Sequence, residues 1–300
     1  MSATANRTHQ ASPRSQSPAA AAHRRRLLGR RDRTGLLHIV LLPLAVLWLV
    51  PLVMVVGLSL LPSDDPGVTA WGLVPQAPSF GNYVNIWQDN PIFRNLLNSL
   101  LITVPSVALV VLFGSMAAFA LARLRVPLKA VIFAMLILAL ILPMSSIIVA
   151  TFKILQSFGL YNNLLGLVLV YTALGMPFAV IIIRTAFLAV PQDTYEAALL
   201  DGAGPWQIYW RIYLPLARPA LAVVVIWHCM MAWNDFLLPL VSISDNDLKP
   251  LTLIPLAYRG IFLSQPGALF AILVLISLPI VIVFLFLQKY LVNGLAGAIK

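Results

Sequence analysis

Charge is scarce in this chain. Of its 300 residues only 10% are Asp, Glu, Lys or Arg and ten are acidic, whereas a soluble domain carries roughly 25%. That deficit excludes an ordinary water-soluble enzyme or binding module. A single cysteine, Cys229, lies within an apolar segment. It rules out an intrachain disulfide and reads as a small core hydrophobe. The chain has no His-Glu-x-x-His pair and no Ser/His dyad at motif spacing, so an intramembrane hydrolase finds no support and no catalytic residue is assigned. His228 is a solitary imidazole, so no metal site is expected. Neither a glycine-rich phosphate loop nor an internal repeat stands out.

What is present is apolar. Hydrophobic residues make up 60% of the chain and the mean hydropathy is +0.92, the values of an integral membrane protein. Six segments are long enough to cross a hydrocarbon layer of about 30 Å as helices: Ile39–Leu61, Leu97–Leu121, Ala130–Ala150, Leu164–Ile183, Leu221–Leu240 and Ala268–Leu287. The expected fold class is therefore all-α, a polytopic protein with six transmembrane helices. Pro43, Pro51, Pro105, Pro143, Pro177 and Pro279 fall inside these segments, where kinks are expected and neighbouring helices can satisfy the freed carbonyls.

The net charge of +10 is local, since eight of the twenty Lys and Arg precede residue 34. It does not describe a nucleic-acid groove. Residues 1–35, rich in Ser, Ala, Pro, Gln and Arg, are expected to form a disordered cytoplasmic tail, and residues 36–300 the six-helix transmembrane domain. The pairs around Arg24–Arg26 and Arg30-Arg31 look like an export signal, but the apolar run that follows is too long for a signal-peptide core. With the N-terminus inside, sixteen Lys and Arg fall on the cytoplasmic side and four outside, as the positive-inside rule demands. Both termini are thus expected in the cytoplasm, with the chain crossing the membrane several times.

The outer connections have content. Pro62 to Asn95 carries Trp71, Phe80, Tyr83, Trp87 and Phe93 and predicts a cap with a short helix at Tyr83–Trp87, serving as an interfacial belt or a docking surface. A short outer helix is expected over Phe152–Asn162. Ser242–Gly267 is expected to be irregular because of Pro250, Pro255 and Pro266.

One polar stretch, Tyr195 to Pro215, separates two apolar segments. Asp193 suits an N-cap with Glu196 three residues on, and Gly202 and Gly204 stop that first helix. Pro205 suits the first turn of a second helix that Leu214-Pro215 closes. The reading is a bent two-helix knuckle over residues 193–215. Small Ala197 and Ala198 allow close approach to a partner, Leu200 supplies an apolar contact, and Glu196 a charge.

The spacing Glu196-Ala197-Ala198, three residues, Gly202, nine residues, Ile212-x-Leu214-Pro215 resembles the EAA loop of the membrane subunits of binding-protein-dependent ABC importers. The resemblance implies a type I ABC importer permease fold in which Glu196, Ala197, Ala198, Leu200, Gly202, Ile212, Leu214 and Pro215 form the coupling helix that docks on an ATP-hydrolysing subunit. It implies a second related permease, two ATPase subunits holding ATP-Mg, an extracytoplasmic solute-binding protein and a lipid membrane as partners. No cofactor is expected on this chain and no nucleic acid. Asn82-Tyr83, Asn98-Ser99, Ala117–Arg125 and Gly294–Ala298 resemble the smaller permease of maltose-type systems. A C-terminal tail from Leu291 touching the ATPases would follow.

Polar groups at membrane depth mark a solute path. The fifth segment holds His228, Trp233, Asn234 and Asp235. Asp235 is the only acidic residue inside an expected span. Trp233 to Phe236, with Pro239-Leu240 after it, resembles a fifth-helix pattern of carbohydrate and glycerol-phosphate permeases. Trp233, Asn234, Asp235, Asn98 and Tyr171 are the path candidates. The same residues admit a plain alternative, with Trp233 in the interfacial belt and Asn98 and Tyr171 bonding between helices. Two other functions stay open: a proton-coupled secondary transporter using His228 and Asp235, and an ABC permease for a non-sugar solute such as glycerol phosphate.

Overall fold

A computed structural model describes residues 18–62, 77–258 and 266–297, with side chains for 38–62, 77–258 and 266–289. Trp71 and residues 259–265 lie outside the described residues. Among those described there are helices and turns and no strand. The chain divides into two units, residues 1–54 and 55–300.

In the first unit, helix α1 (Pro18–Ser59) starts well before the apolar run. Residues 18–35 of the expected tail are helical here, and residues 1–17 lie outside the described residues. The tail's composition cannot bury a core of its own. A helix extending from a membrane span needs none, because the span has already met the cost of nucleation and each added residue gains a hydrogen bond. Ala19–Ala22 and the Arg and Leu that follow have high helix propensity.

The second unit runs through α2 (Gly81–Asp89), α3 (Ile92–Arg123), α4 (Lys129–Ile141), α5 (Met144–Ser157) and α6 (Leu164–Ala189). After these come α7 (Gln192–Leu200), α8 (Pro205–Leu216), α9 (Arg218–Asn234), α10 (Leu237–Ser242) and α11 (Pro266–Gly297). Four helices are long and apolar enough to span a membrane, or six if each of two bent pairs is one span. Two spans differ from those the sequence predicts. Ala130–Ala150 is broken at Pro143, which caps α5 rather than sitting in a helix, and α4 meets α5 at 105°. The segment Leu221–Leu240 ends at Asn234, because the Asp235 carboxylate accepts the Leu237 amide N–H (3.1 Å) and starts a new short helix. Asp235 is therefore at a break, not inside a span, consistent with the tendency of Asp to compete for backbone groups.

Three buried clusters hold this unit. One gathers Phe119 and Leu121 of α3, Ile183 and Phe187 of α6, Ala198 of α7 and Tyr209 and Tyr213 of α8. A second joins Ile86, Ile92, Trp233, Leu251 and Ile272, and a third Ile102, Leu167, Tyr171, Ala232 and Leu238. Helices α3 and α6 run the same way, since Tyr171 shares a cavity with Ser99 and Thr103 at one end and Phe187 meets Phe119 at the other. The expected outer helix over Phe152–Asn162 is the end of α5 followed by a turn, with Asn162 in the left-handed region. The expected irregular loop after Ser242 contains 3-10 turns at Asn246–Leu248 and Leu251–Tyr258.

A buried amide helps anchor helix α2. Asn82, 3% exposed, donates to the carbonyls of Ser59 (3.1 Å) and Leu61 (2.7 Å), closing the end of the preceding helix. Replacing Asn82 by Ala orphans both acceptors and is expected to destabilise the protein by about 1–3 kcal/mol, seen as a lower thermal midpoint of the purified protein. An unchanged midpoint would show that water replaces the amide at no cost.

Candidate functional site

The knuckle forms as two helices about a glycine turn, with one local difference. Helix α7 begins after Pro191, and no side chain caps it. Asp193 is in the first turn rather than at the N-cap, and Glu196 accepts from the Gln192 amide (2.8 Å) instead of reaching back to the backbone. Pro191 sets the entry and leaves Asp193 its favourable place near the positive helix end. Gly202 has φ +79, a conformation costing about 1–2 kcal/mol for a side chain with Cβ, and its carbon faces open space. Its job is the bend. Helix α8 starts with Pro205 in the first turn and passes through a π-helical turn, Tyr209–Tyr213. It meets α9 at 76°.

The knuckle has two faces. Glu196, Ala197 and Gly202 are exposed, Leu200 is 89% exposed, and Leu199 and Trp206 join them as exposed apolar groups. Ala198 is buried, and Ile212 and Leu214 pack partly buried against the Phe119 cluster; Pro215 is half-buried. Of the eight expected coupling residues, four therefore look outward and four support the knuckle from behind. Trp206 was missed because no sequence pattern distinguishes its exposed position from a core aromatic.

Around the middle of the unit, a cavity of about 360 Å³ is lined by Tyr171, Trp227, Met230, Met231, Asn234 and Asp235 with apolar residues of α4, α5 and α6. The Tyr171 hydroxyl donates to the Asp235 carboxylate (2.8 Å), so two path candidates from distant positions are brought together. Trp227 stacks on Phe178 at 4.1 Å and joins this lining although it was not a candidate. Trp233 goes elsewhere. It is buried among residues of α2, α3 and α11, and its indole N–H donates to the Ile276 carbonyl (2.9 Å).

Asn98 also has a structural partner. Its amide donates to the carbonyls of Asp247 (2.8 Å) and Lys249 (3.1 Å). Asn95 donates to Lys249 (2.8 Å), and the Ser99 hydroxyl accepts the Leu251 N–H (2.9 Å). These residues, spaced three and four apart, present one face of α3 to the outer segment, which Asn162 clasps from the other side by accepting the Ser244 and Asp245 N–H groups. Nearby, the Tyr258 phenol is pushed above its ordinary pKa by burial, with the Asn90 amide that donates to it (2.6 Å) opposing the shift. His228 is fully buried and neither ring nitrogen has a partner among the described residues; it fills the notch left by Gly175. Among the described residues no hydrogen-bond chain joins it to Asp235.

Comparison with known proteins follows the same outline. Residues 95–297 match the family described as binding-protein-dependent transport system inner membrane component. The chain is 35% identical over 261 residues to the diacetylchitobiose uptake system permease protein NgcG of Streptomyces coelicolor, covering 86% of each. It is 31% identical to the trehalose transport system permease protein SugB of Mycobacterium tuberculosis, covering 84% of this chain and 92% of that one. A crystal structure of a bacterial ABC transporter that imports the acidic polysaccharide alginate contains a chain with TM-score 0.73 and 24% identity, covering 87% of this chain and 98% of that one. This last likeness bears on the fold.

Asn98→Ala is expected to release the segment it clasps. Amide hydrogen exchange at Leu248, Leu251 and Leu253 should then accelerate by about tenfold, the equivalent of one lost hydrogen bond of about 1.4 kcal/mol. Exchange at the native rate would return Asn98 to the solute path.

Proposed function

Because the chain belongs to the binding-protein-dependent transport system inner membrane component family, we propose that it is the permease subunit of an ATP-driven importer for a sugar or sugar-like solute handed over by an extracytoplasmic binding protein. The observation that carries this is the knuckle: α7, Gly202 and the start of α8 offer Glu196, Ala197 and the fully projecting Leu200 to a partner, while Ala198, Ile212 and Leu214 fasten the same element to the membrane helices. An exposed leucine on a rigid bend has little use in water and good use in a cleft.

In this reading a second related permease pairs with the chain and two ATPase subunits bind ATP-Mg below it, with both termini and the knuckle in the cytoplasm. The chain itself holds no nucleotide. ATP binding draws the ATPases together, the knuckles follow, and the cavity opens outward; after hydrolysis the solute leaves inward. This is a rigid-body coupling in which the chain does no covalent chemistry. The cavity suits a neutral saccharide: Trp227 offers a ring face, and Tyr171, Asn234 and Asp235 offer donors and acceptors for hydroxyls. Asp235 is the charged residue in that lining, and a carboxylate there would repel glycerol phosphate, which disfavours that alternative. A proton-coupled carrier is disfavoured by the absence of a hydrogen-bonded route from His228 to Asp235 among the described residues. The two sugar permeases among its relatives support the substrate class.

Glu196→Lys or Gly202→Asp is expected to abolish uptake and retention of the ATPase during purification while leaving membrane insertion intact; full transport by either variant would remove the coupling role. Asp235→Asn is expected to weaken solute affinity by about tenfold, the scale of one charge-assisted hydrogen bond. Uptake that survives loss of the ATPase and collapses with an uncoupler would instead establish the secondary carrier.

A further inference from the structure

We propose that Ser115, Phe119 and Arg123, a stripe on α3, form the joint through which the knuckle drives the membrane helices, with Tyr209 and Tyr213 as its mating surface. The proposal rests on the reading of α7 and α8 as the ATPase-docking knuckle. Spacing of four places the three α3 residues on one helix face, and the same spacing aligns the two tyrosines.

Each rung makes a different contact. The Ser115 and Tyr209 hydroxyls are 2.7 Å apart and buried. The Phe119 ring lies 5.4 Å from the ring of Tyr209, 5.2 Å from Tyr213, 6.1 Å from Phe187 and 6.4 Å from Tyr195, so one side chain of α3 touches α6, α7 and α8. The Arg123 guanidinium sits 5.2 Å from the Tyr213 ring centre and donates to the carbonyls of Phe187 (2.9 Å) and Val190. A cation there also faces the negative end of α6. Arg184 of α6 returns the contact, donating to the Leu121 carbonyl of α3 (3.4 Å).

Geometry favours this sideways route over the chain itself. Between α8 and α9 the backbone turns by 76°, and a push along α8 would flex that corner. Helix α3, by contrast, is unbroken over 32 residues, about 48 Å at 1.5 Å per residue. It carries the joint at one end and the Asn95, Asn98 and Ser99 clasp on the outer segment at the other. Close-packed aromatic rings transmit displacement instead of absorbing it. Two polar atoms of the joint, Arg123 Nε and the Tyr213 hydroxyl, are buried without a well-formed hydrogen bond among the described residues, a cost that a second arrangement of the joint would relieve. The π-helical turn at Tyr209–Tyr213 is the kind of local irregularity found where helices work.

The test uses the assembled transporter with its partner permease and ATPases in lipid nanodiscs, carrying Cys229→Ser and the reporter Met230→Cys in the cavity wall. The readout is the labelling rate of the reporter by a small maleimide without nucleotide and with ATP-Mg plus orthovanadate, beside ATPase retention and hydrolysis. Without further changes ATP is expected to alter the rate by about fivefold or more, the scale of a coupling between sites. Phe119→Ala, Arg123→Gln and the milder Tyr209→Phe are expected to keep the ATPases bound and hydrolysing while the ATP-dependent change shrinks, with Arg123→Lys partly restoring it. An undiminished change in all three variants overturns the joint, as does loss of the ATPases from Tyr209→Phe, which would mark a scaffolding role. Failure of the unaltered complex to retain its ATPases would instead defeat the coupling reading on which the joint rests.

Discussion

The Phe119 ring is where four helices of this protein meet, and the reason such a point matters lies in the solvent. Lipid chains are as apolar as leucine, so helices in a bilayer gain little by hiding apolar surface from it. They are held by close packing and by hydrogen bonds that have no water to compete with them. Phe119, Phe187, Tyr195 and Tyr213 supply the packing, and the Ser115–Tyr209 pair and the two reciprocal arginines supply the bonds. Without that cluster the projecting knuckle would be a loop rather than a lever.

The opposite end of α3 obeys the same rule with different residues. There Asn95, Asn98 and Ser99 take up backbone groups of the outer segment, whose own prolines leave it little regular bonding. Close to that end sits the cavity, with its carboxylate held by Tyr171 and by the Leu237 amide rather than left loose in an apolar setting. A buried or half-buried charge is tolerable only when so satisfied. The arrangement thus places a polar, oriented wall near one end of a helix whose two ends are fastened to different parts of the protein.

Much of this was legible in the sequence because it depends on one-dimensional pattern. Hydropathy located the spans, and Gly202, Pro205 and the small residues around Ala197 located the knuckle. The misses share a cause. Pro143 and Asp235 break helices, but whether a proline kinks or ends a span depends on neighbours that sequence does not list. Trp233 and Asn98 are polar residues at membrane depth, yet their partners, Ile276 and the Asp247 and Lys249 carbonyls, are remote in sequence. Trp227 lines the cavity on the evidence of helix rotation alone. The four-residue spacing of Ser115, Phe119 and Arg123 was visible as a pattern, but only the position of Tyr209 and Tyr213 gives it meaning. The scarcity of large apolar residues in the N-terminal tail bears on burial, a criterion that does not govern a helix already begun by a span.

The proposed function requires a rigid knuckle that transfers an ATPase's movement to the membrane helices. Leu200, 89% exposed at its tip, is the place to ask. A photo-crosslinking amino acid at position 200, activated in native membranes, is predicted to yield a single adduct with the ATPase subunit. An adduct with an outer-face protein, or none with the ATPase when both are present, would contradict the account.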